Sequence, residues 1–273
     1  MIYAALSVYL LGILFAAMGV YRLWAGMVRP RWVNWALLPG TVVSEMAYIF
    51  GCLITGGEIR RAKLMGAGGG GARGGKSAGA SEAEPTTEAE PKLRSVGPIV
   101  AALMSILACG AGIVIAHAVL GEPVIEQFAA GGDTPRLTGQ LKALPKSTGQ
   151  LWDQIYCQVD LLHRMAQTWT ELNWLNWPVP LFVYLATCLT IRLAPVRRSL
   201  RASLAAVVVA AGIIALIGAI WKRFDGLVDD IWPLVMYVWS SLLFLLAVSL
   251  VIRGGVGLVR GLFEKEGRPA RAS

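Results

Sequence analysis

The sequence is short of charge, of histidine and of paired cysteine, and each shortage narrows what the protein does. Only 15% of its 273 residues are charged, against 56% hydrophobic. Soluble domains carry about a quarter charged residues, so the composition points to an all-α, multi-pass helical membrane protein. The four cysteines, Cys52, Cys109, Cys157 and Cys188, show no C-x-x-C spacing and three of them fall in apolar runs. Neither a disulfide framework nor a thiolate metal site is indicated, and they read as small core residues. The only histidines, His117 and His163, are too far apart in the chain to form an i, i+4 pair, and His163 reads as a surface residue. A basic n-region is missing before the first apolar run, so residues 2–21 are expected to be a retained membrane helix rather than a signal peptide.

What the chain does have is apolar length. Crossing a bilayer takes about 20 apolar residues, and the runs 2–21, 98–120, 177–194, 202–221 and 231–252 meet that length. A sixth, 32–56, does so only if its Pro39-Gly40 interruption is included. Tryptophans 24, 32, 35, 174, 177, 221 and 232 flank these runs, as interface anchors do. The 25 Lys and Arg, against 17 Asp and Glu, lie in short blocks between runs, which suits orientation in a bilayer and not a nucleic-acid partner.

The basic blocks predict sides. Residues 58–97 carry seven Lys and Arg, 192–201 carry four Arg, and the tail 253–273 carries Arg253, Arg260, Lys265, Arg268 and Arg271. All three are expected in the cytoplasm of a bacterial cell, with 121–176 and the short turn 222–230 outside. Arg22, Arg29 and Arg31 fit poorly: they would be external if 32–56 spans fully and the N-terminus is inside. A re-entrant 32–56 with an external N-terminus would bring them in. Six spans are preferred here, because non-helical backbone at membrane depth needs protein or a wet cavity to cover it.

The organisation expected is therefore 1–57 as N-terminal membrane helices, 58–97 as a cytoplasmic linker, 98–120 as a membrane helix, 121–176 as an extracytoplasmic loop, 177–252 as three membrane helices and 253–273 as a basic tail. Within the linker, 66–79 holds eight glycines in fourteen positions, and Glu82-Ala83-Glu84-Pro85 recurs as Glu88-Ala89-Glu90-Pro91. Such composition buries too little apolar surface to fold, so 66–95 is expected to be disordered. Gly70 to Ser77 fits G-x-x-x-x-G-K-[ST], with Lys76 as the phosphate lysine. That motif needs a strand before it and a helix after it, and glycine lies on both sides here, so no nucleotide partner is expected.

In the outer loop, Ser147 and Gln150 stand at capping-box spacing. Leu151, Ile155, Leu162, Met165, Trp169 and Leu172 then follow at helical steps, with Asp153, Gln154, Asp160, Arg164 and Gln167 among the polar positions. A single amphipathic helix of about seven turns is predicted, lying on the membrane surface or the bundle. Gly257 and Gly261 have small-xxx-small spacing at the cytoplasmic edge, a hint of helix association.

The most informative stretch is Leu37 to Gly57, apolar but carrying Glu45. A carboxylate there costs several kcal/mol unless partnered or protonated, which makes it a functional candidate by default. Leu38-Pro39-Gly40-Thr41-Val42-Val43-Ser44-Glu45-Met46-Ala47-Tyr48, followed by Gly51, Leu53 and Gly56, resembles the first motif of membrane-embedded zinc metalloproteases of the site-2 protease type. In that motif, H-E-x-x-H, two histidines on one helical face ligate zinc and the glutamate is general base on a zinc-bound water. Ser44 and Tyr48 occupy the histidine positions, and only Glu45 matches. The family's distal ligand, an aspartate before glycine, has a weak counterpart in Asp225-Gly226.

The resemblance thus implies a protease-like scaffold without zinc, and no cofactor is expected. Its function would be non-catalytic, binding or presenting other membrane proteins within the lipid bilayer. The alternatives are a hydrolase using Glu45 with atypical ligands such as Asp225, and a small transporter or channel component built on a broken helix with a buried acid. Glu45 itself would be either a protonated or hydrogen-bonded contact of Ser44, Thr41 or Tyr48, or the polar group of a wet cavity.

Overall fold

Proline marks where the helices begin. The structure, a computed structural model, describes residues 2–28, 30–56, 58–63, 86–90, 96–130, 148–193, 205–213, 216 and 224–266. Its elements are α1 (Ile2–Met27), α2 (Pro30–Ala36), α3 (Leu38–Ile54), β1 (Glu58–Lys63), β2 (Thr86–Glu90), α4 (Gly97–Ala116), a π-helical turn (His117–Gly121), α5 (Glu122–Ala130), α6 (Thr148–Tyr156), α7 (Gln158–Glu171), α8 (Pro178–Leu193) and α9 (Phe224–Glu266). Residues 205–213 are helical as well. Pro30, Pro39, Pro98 and Pro178 lie in first turns, where the missing N–H removes no helical hydrogen bond, whereas Pro123 lies within the continuous helix Gly97–Ala130. Pro123 also crowds the carbonyl four residues before it, and the helix widens into its π turn at that point.

Several long apolar helices identify a membrane protein. Leu6–Met27, Gly97–Ala130 and Val228–Leu258 are long and apolar enough to cross a bilayer. The six full spans expected from the sequence are not what the described residues show. α3 has 17 residues and α8 has 16; at 1.5 Å per residue each reaches about 25 Å, short of the roughly 30 Å hydrocarbon core. The run 202–221 is described only in part.

Two sets of contacts fix the helix directions. A Cβ on Gly12 would lie 2.9 Å from Trp239, one on Gly19 3.1 Å from Leu246, and one on Gly26 4.0 Å from Arg253. The steps are seven residues on both helices, so α1 and α9 run parallel. The start of α1 and the end of α9 therefore lie at opposite ends of this helix pair. Gly112 against Leu189 and Gly121 against Phe182 make α4 antiparallel to α8. Tyr21 and Arg192 meet near one end of the bundle, where the guanidinium lies 5.2 Å from the ring centroid. That end also carries Met27 and Arg253, and we call it the basic end.

The segment between α1 and β1 goes in and comes back. Asn34 meets Arg192, whereas Ala36 meets Cys188 and Tyr184, one and two turns further from the basic end. The chain breaks at Leu37 (φ −96°, ψ 20°), and α3 then descends. Gly40 packs on Cys188, and Gly51 packs on Ala101 and Met104 at the start of α4. α2 and α3 thus form a hairpin that breaks at Leu37 beside α8. The break falls at Leu37 rather than at Pro39-Gly40, because Pro39 is accommodated in the first turn of α3.

That descent brings the end of α3 beside the start of α4, and the flanks of the linker pair across the gap. Glu58–Lys63 runs antiparallel to Thr86–Glu90, with a register irregularity between Ile59 and Arg61. The disordered linker 66–95 is therefore corrected at 86–90, while 64–85 and 91–95 lie outside the described residues.

Three further expectations change. The helix after Pro145 is two helices, α6 and α7, meeting at Cys157 (φ −85°, ψ 16°). Met165 and Leu172 are buried and Asp160 is exposed, as the spacing predicts, but Gln154 and Arg164 are buried as well, while Trp152, Ile155, Tyr156 and Val159 face outward. Gln154 is buried because it accepts a hydrogen bond from Tyr9 Oη at 2.9 Å. Trp232, expected at an interface, is fully buried and stacks edge-on with Tyr9 at 5.2 Å, where aromatic pairing adds about 1 kcal/mol to burial. The expected 222–230 turn is, from Phe224 on, the start of α9, and the tail 253–273 continues that helix to Glu266. Cys52, Cys109 and Cys188 are buried core residues, as expected.

Candidate functional site

The hairpin's turn interrupts the helical hydrogen-bond ladder, and the backbone carbonyls beside it find partners as follows. Ala36 O accepts from Tyr184 Oη at 2.9 Å and from Cys188 Sγ at 3.4 Å. Leu37 O accepts from Thr41 N and from Thr41 Oγ1, each at 2.9 Å. The break is thus closed partly by its own helix and partly by α8.

Arg192 fastens the hairpin to the rest of the bundle. The sequence reading placed it in a cytoplasmic block, but it lies in the last turn of α8. Its Nη2 donates to Asn34 Oδ1 at 2.6 Å, its guanidinium covers the Tyr21 ring, and Glu45 lies within its electrostatic reach. Arg192 Nε and Asn34 Nδ2 are buried donors without a hydrogen-bond partner. Gly40 makes the approach possible, since a Cβ there would lie 2.3 Å from Cys188 O and 3.1 Å from Arg192 Cγ.

The candidate residues of the opening motif share α3 but do not converge on a metal. Ser44 is buried and its Oγ donates to Thr41 O at 3.1 Å. Tyr48, one turn on, is buried with Cys52 and Ala101. Glu45 is half-buried. A zinc ion does not fit this set: a serine hydroxyl and a phenol are poor ligands beside imidazole, thiolate or carboxylate, and Ser44 is turned back onto its own helix. Among the described residues, no three of His, Cys, Asp and Glu gather as ligands.

The remaining candidates are scattered. Asp225 lies in the first turn of α9, not in a turn, and is separated along that helix by roughly 30 Å from Leu246, the residue level with Gly19 and the Tyr21–Arg192 contact. His117 sits half-buried in the π turn, 6.3 Å from the Phe182 ring. His163 is exposed on α7, as expected. Gly70 to Ser77, with Lys76, lies outside the described residues.

Sequence reasoning missed Asn34, Tyr184, Cys188 and above all Arg192. The available signal was a lone asparagine in an apolar run; nothing local tied it to an arginine so far along the chain. Set against known proteins, the chain matches no family model, no curated protein and no solved structure.

Proposed function

We propose that this protein works without catalysis, as a membrane-embedded binding element whose re-entrant hairpin presents a fixed surface to other membrane segments. The observation that carries this reading is the use of the motif residues inside the fold: Ser44 on Thr41 O, Tyr48 against Ala101, and Glu45 in the field of Arg192. We take up the resemblance of residues 38–56 to site-2-protease-like proteins and read the scaffold as one that has lost zinc. Purified protein is expected to carry no stoichiometric zinc by elemental analysis. Zinc at about one ion per chain, lost on Glu45→Ala, would sink this reading in favour of a hydrolase.

We further propose a bacterial cytoplasmic membrane with the basic end inside. Its support is that α1 and α9 bring Arg22 and Arg253 to one end, where Arg192 also lies and where the chain leaves α3, so that one orientation suits all three of these arginines. The N-terminus is then outside and the C-terminus inside. A tag at Met1 is expected to react with an impermeant reagent on intact cells while a tag after Ser273 does not. Protection of the N-terminal tag would refute the orientation.

A further inference from the structure

Two arginines at the basic end face outward beside the seam between α1 and α9. Arg22 and Arg253 are both exposed, and each stands five residues before the end of its apolar stretch, Leu6–Met27 and Val228–Leu258. At 1.5 Å per residue that is about 8 Å from the end, within reach of an arginine stem that snorkels toward the interface. A Cβ on Gly26 would lie 4.0 Å from Arg253 Nη1, so this guanidinium crosses the seam to the α1 side. Gly26 and Arg22 are four residues apart and thus neighbours on one face of α1, with about 6 Å between their Cβ positions. Two like charges therefore share one flank of the seam, about a helical turn apart.

Among the described residues neither arginine has a carboxylate within ion-pair reach. Arg192, at the same end, is instead turned inward onto Asn34 and Tyr21. Away from the basic end the flank below Arg22 becomes apolar. Phe15 and Val8 precede Arg22 at steps of seven residues and are 48% and 51% exposed, and Leu250, one turn before Arg253, is 51% exposed. An unpaired double positive charge near the end of the apolar length, above an exposed apolar flank, is complementary to an anionic phospholipid. The phosphate of such a lipid lies at the depth that the guanidinium groups reach, and its chains lie beside the apolar residues. Guanidinium is suited to the role, since its fork of donors matches the oxygens of a phosphate.

We propose that Arg22 and Arg253 form the headgroup site of an anionic phospholipid on the α1–α9 seam. The lipid phosphate bridges the two guanidinium groups and offsets their repulsion, and an acyl chain lies along Phe15 and Val8. The site requires only the membrane setting of the bundle. It holds whichever side the basic end faces and is independent of what Glu45 does.

Native mass spectrometry of the delipidated full-length protein in neutral detergent tests it, by titration with phosphatidylglycerol or with phosphatidylcholine of the same chains. The protein is expected to take up one phosphatidylglycerol about thirtyfold more tightly than phosphatidylcholine, the preference that two arginines at a membrane surface supply. Arg22→Gln and Arg253→Gln together are expected to erase that preference and leave phosphatidylcholine binding unchanged. Each single variant is expected to keep about fivefold, which decides the matter should the double variant fail to fold. Variants that keep the wild-type preference, or a wild-type protein that takes both lipids equally, would overturn the proposal. Displacement of the lipid by millimolar glycerol phosphate would make the site one for a free phosphate and overturn it as well. Dimers without bound lipid would make a second copy the occupant of the seam, with the same consequence.

Discussion

Gly40→Ala is expected to cost up to about 3 kcal/mol, the upper part of the range for overpacking a filled interior. A Cβ there would stand 2.3 Å from Cys188 O and 2.6 Å from its carbonyl carbon, and backbone on a neighbouring helix has no rotamer by which to move aside. α3 would have to withdraw from α8, and with it would go the Asn34–Arg192 bond and the capture of Ala36 O by Tyr184 and Cys188. Helix propensity pulls the other way, since alanine gains about 1 kcal/mol over glycine inside a helix. The contrast with Gly110→Ala therefore isolates the contact: Gly110 has no atom within 4 Å of such a Cβ, and this variant should unfold at or above the wild-type temperature. Thermal unfolding in mild detergent measures both. Equal stability of the two variants would mean that the hairpin does not pack as described.

Arg164→Met is expected to cost on the order of 3 kcal/mol, from two buried carbonyls left without donors at about 1–3 kcal/mol each. Arg164 is 4% exposed, and it donates to Phe128 O and to Gln127 O at the end of α5. Methionine keeps the unbranched stem, so the loss reports on the guanidinium. The ion pair with Glu171 at 3.6 Å is a lesser matter, because that carboxylate is 52% exposed. Glu171→Gln should shift the unfolding midpoint little, as exposed pairs contribute under about 1 kcal/mol. A methionine variant as stable as wild type would show that α7 is held to α5 by packing alone.

Much of the fold was readable because apolar length is a local property. The runs 2–21, 98–120 and 231–252 became long helices, and the buried cysteines followed from the same runs. Direction was not readable, because it lies in pairs such as Gly12 with Trp239, distant in sequence. The burial of two polar residues of α6 and α7 was misjudged for a related reason. Gln154 and Arg164 look solvent-facing until Tyr9 and the carbonyls of α5 are brought beside them. At the candidate site, Glu45 was singled out correctly as anomalous in its segment, but its electrostatic partner Arg192 had been assigned to a loop. Four helices, α4 to α7, stand between them in the chain, and no spacing rule reaches that far.

The seven-residue glycine ladder of α1 has a consequence for how the protein is made. Gly12, Gly19 and Gly26 are completed by Trp239, Leu246 and Arg253, which leave the ribosome more than two hundred residues later. At synthesis rates of about 5–20 residues per second, the first helix waits in the bilayer for ten seconds or more with its bare backbone face unoccupied. Glycine faces of this kind associate readily with other helices. The nascent chain is therefore most open to mispairing along its earliest segment, and the last helix to arrive closes that opening.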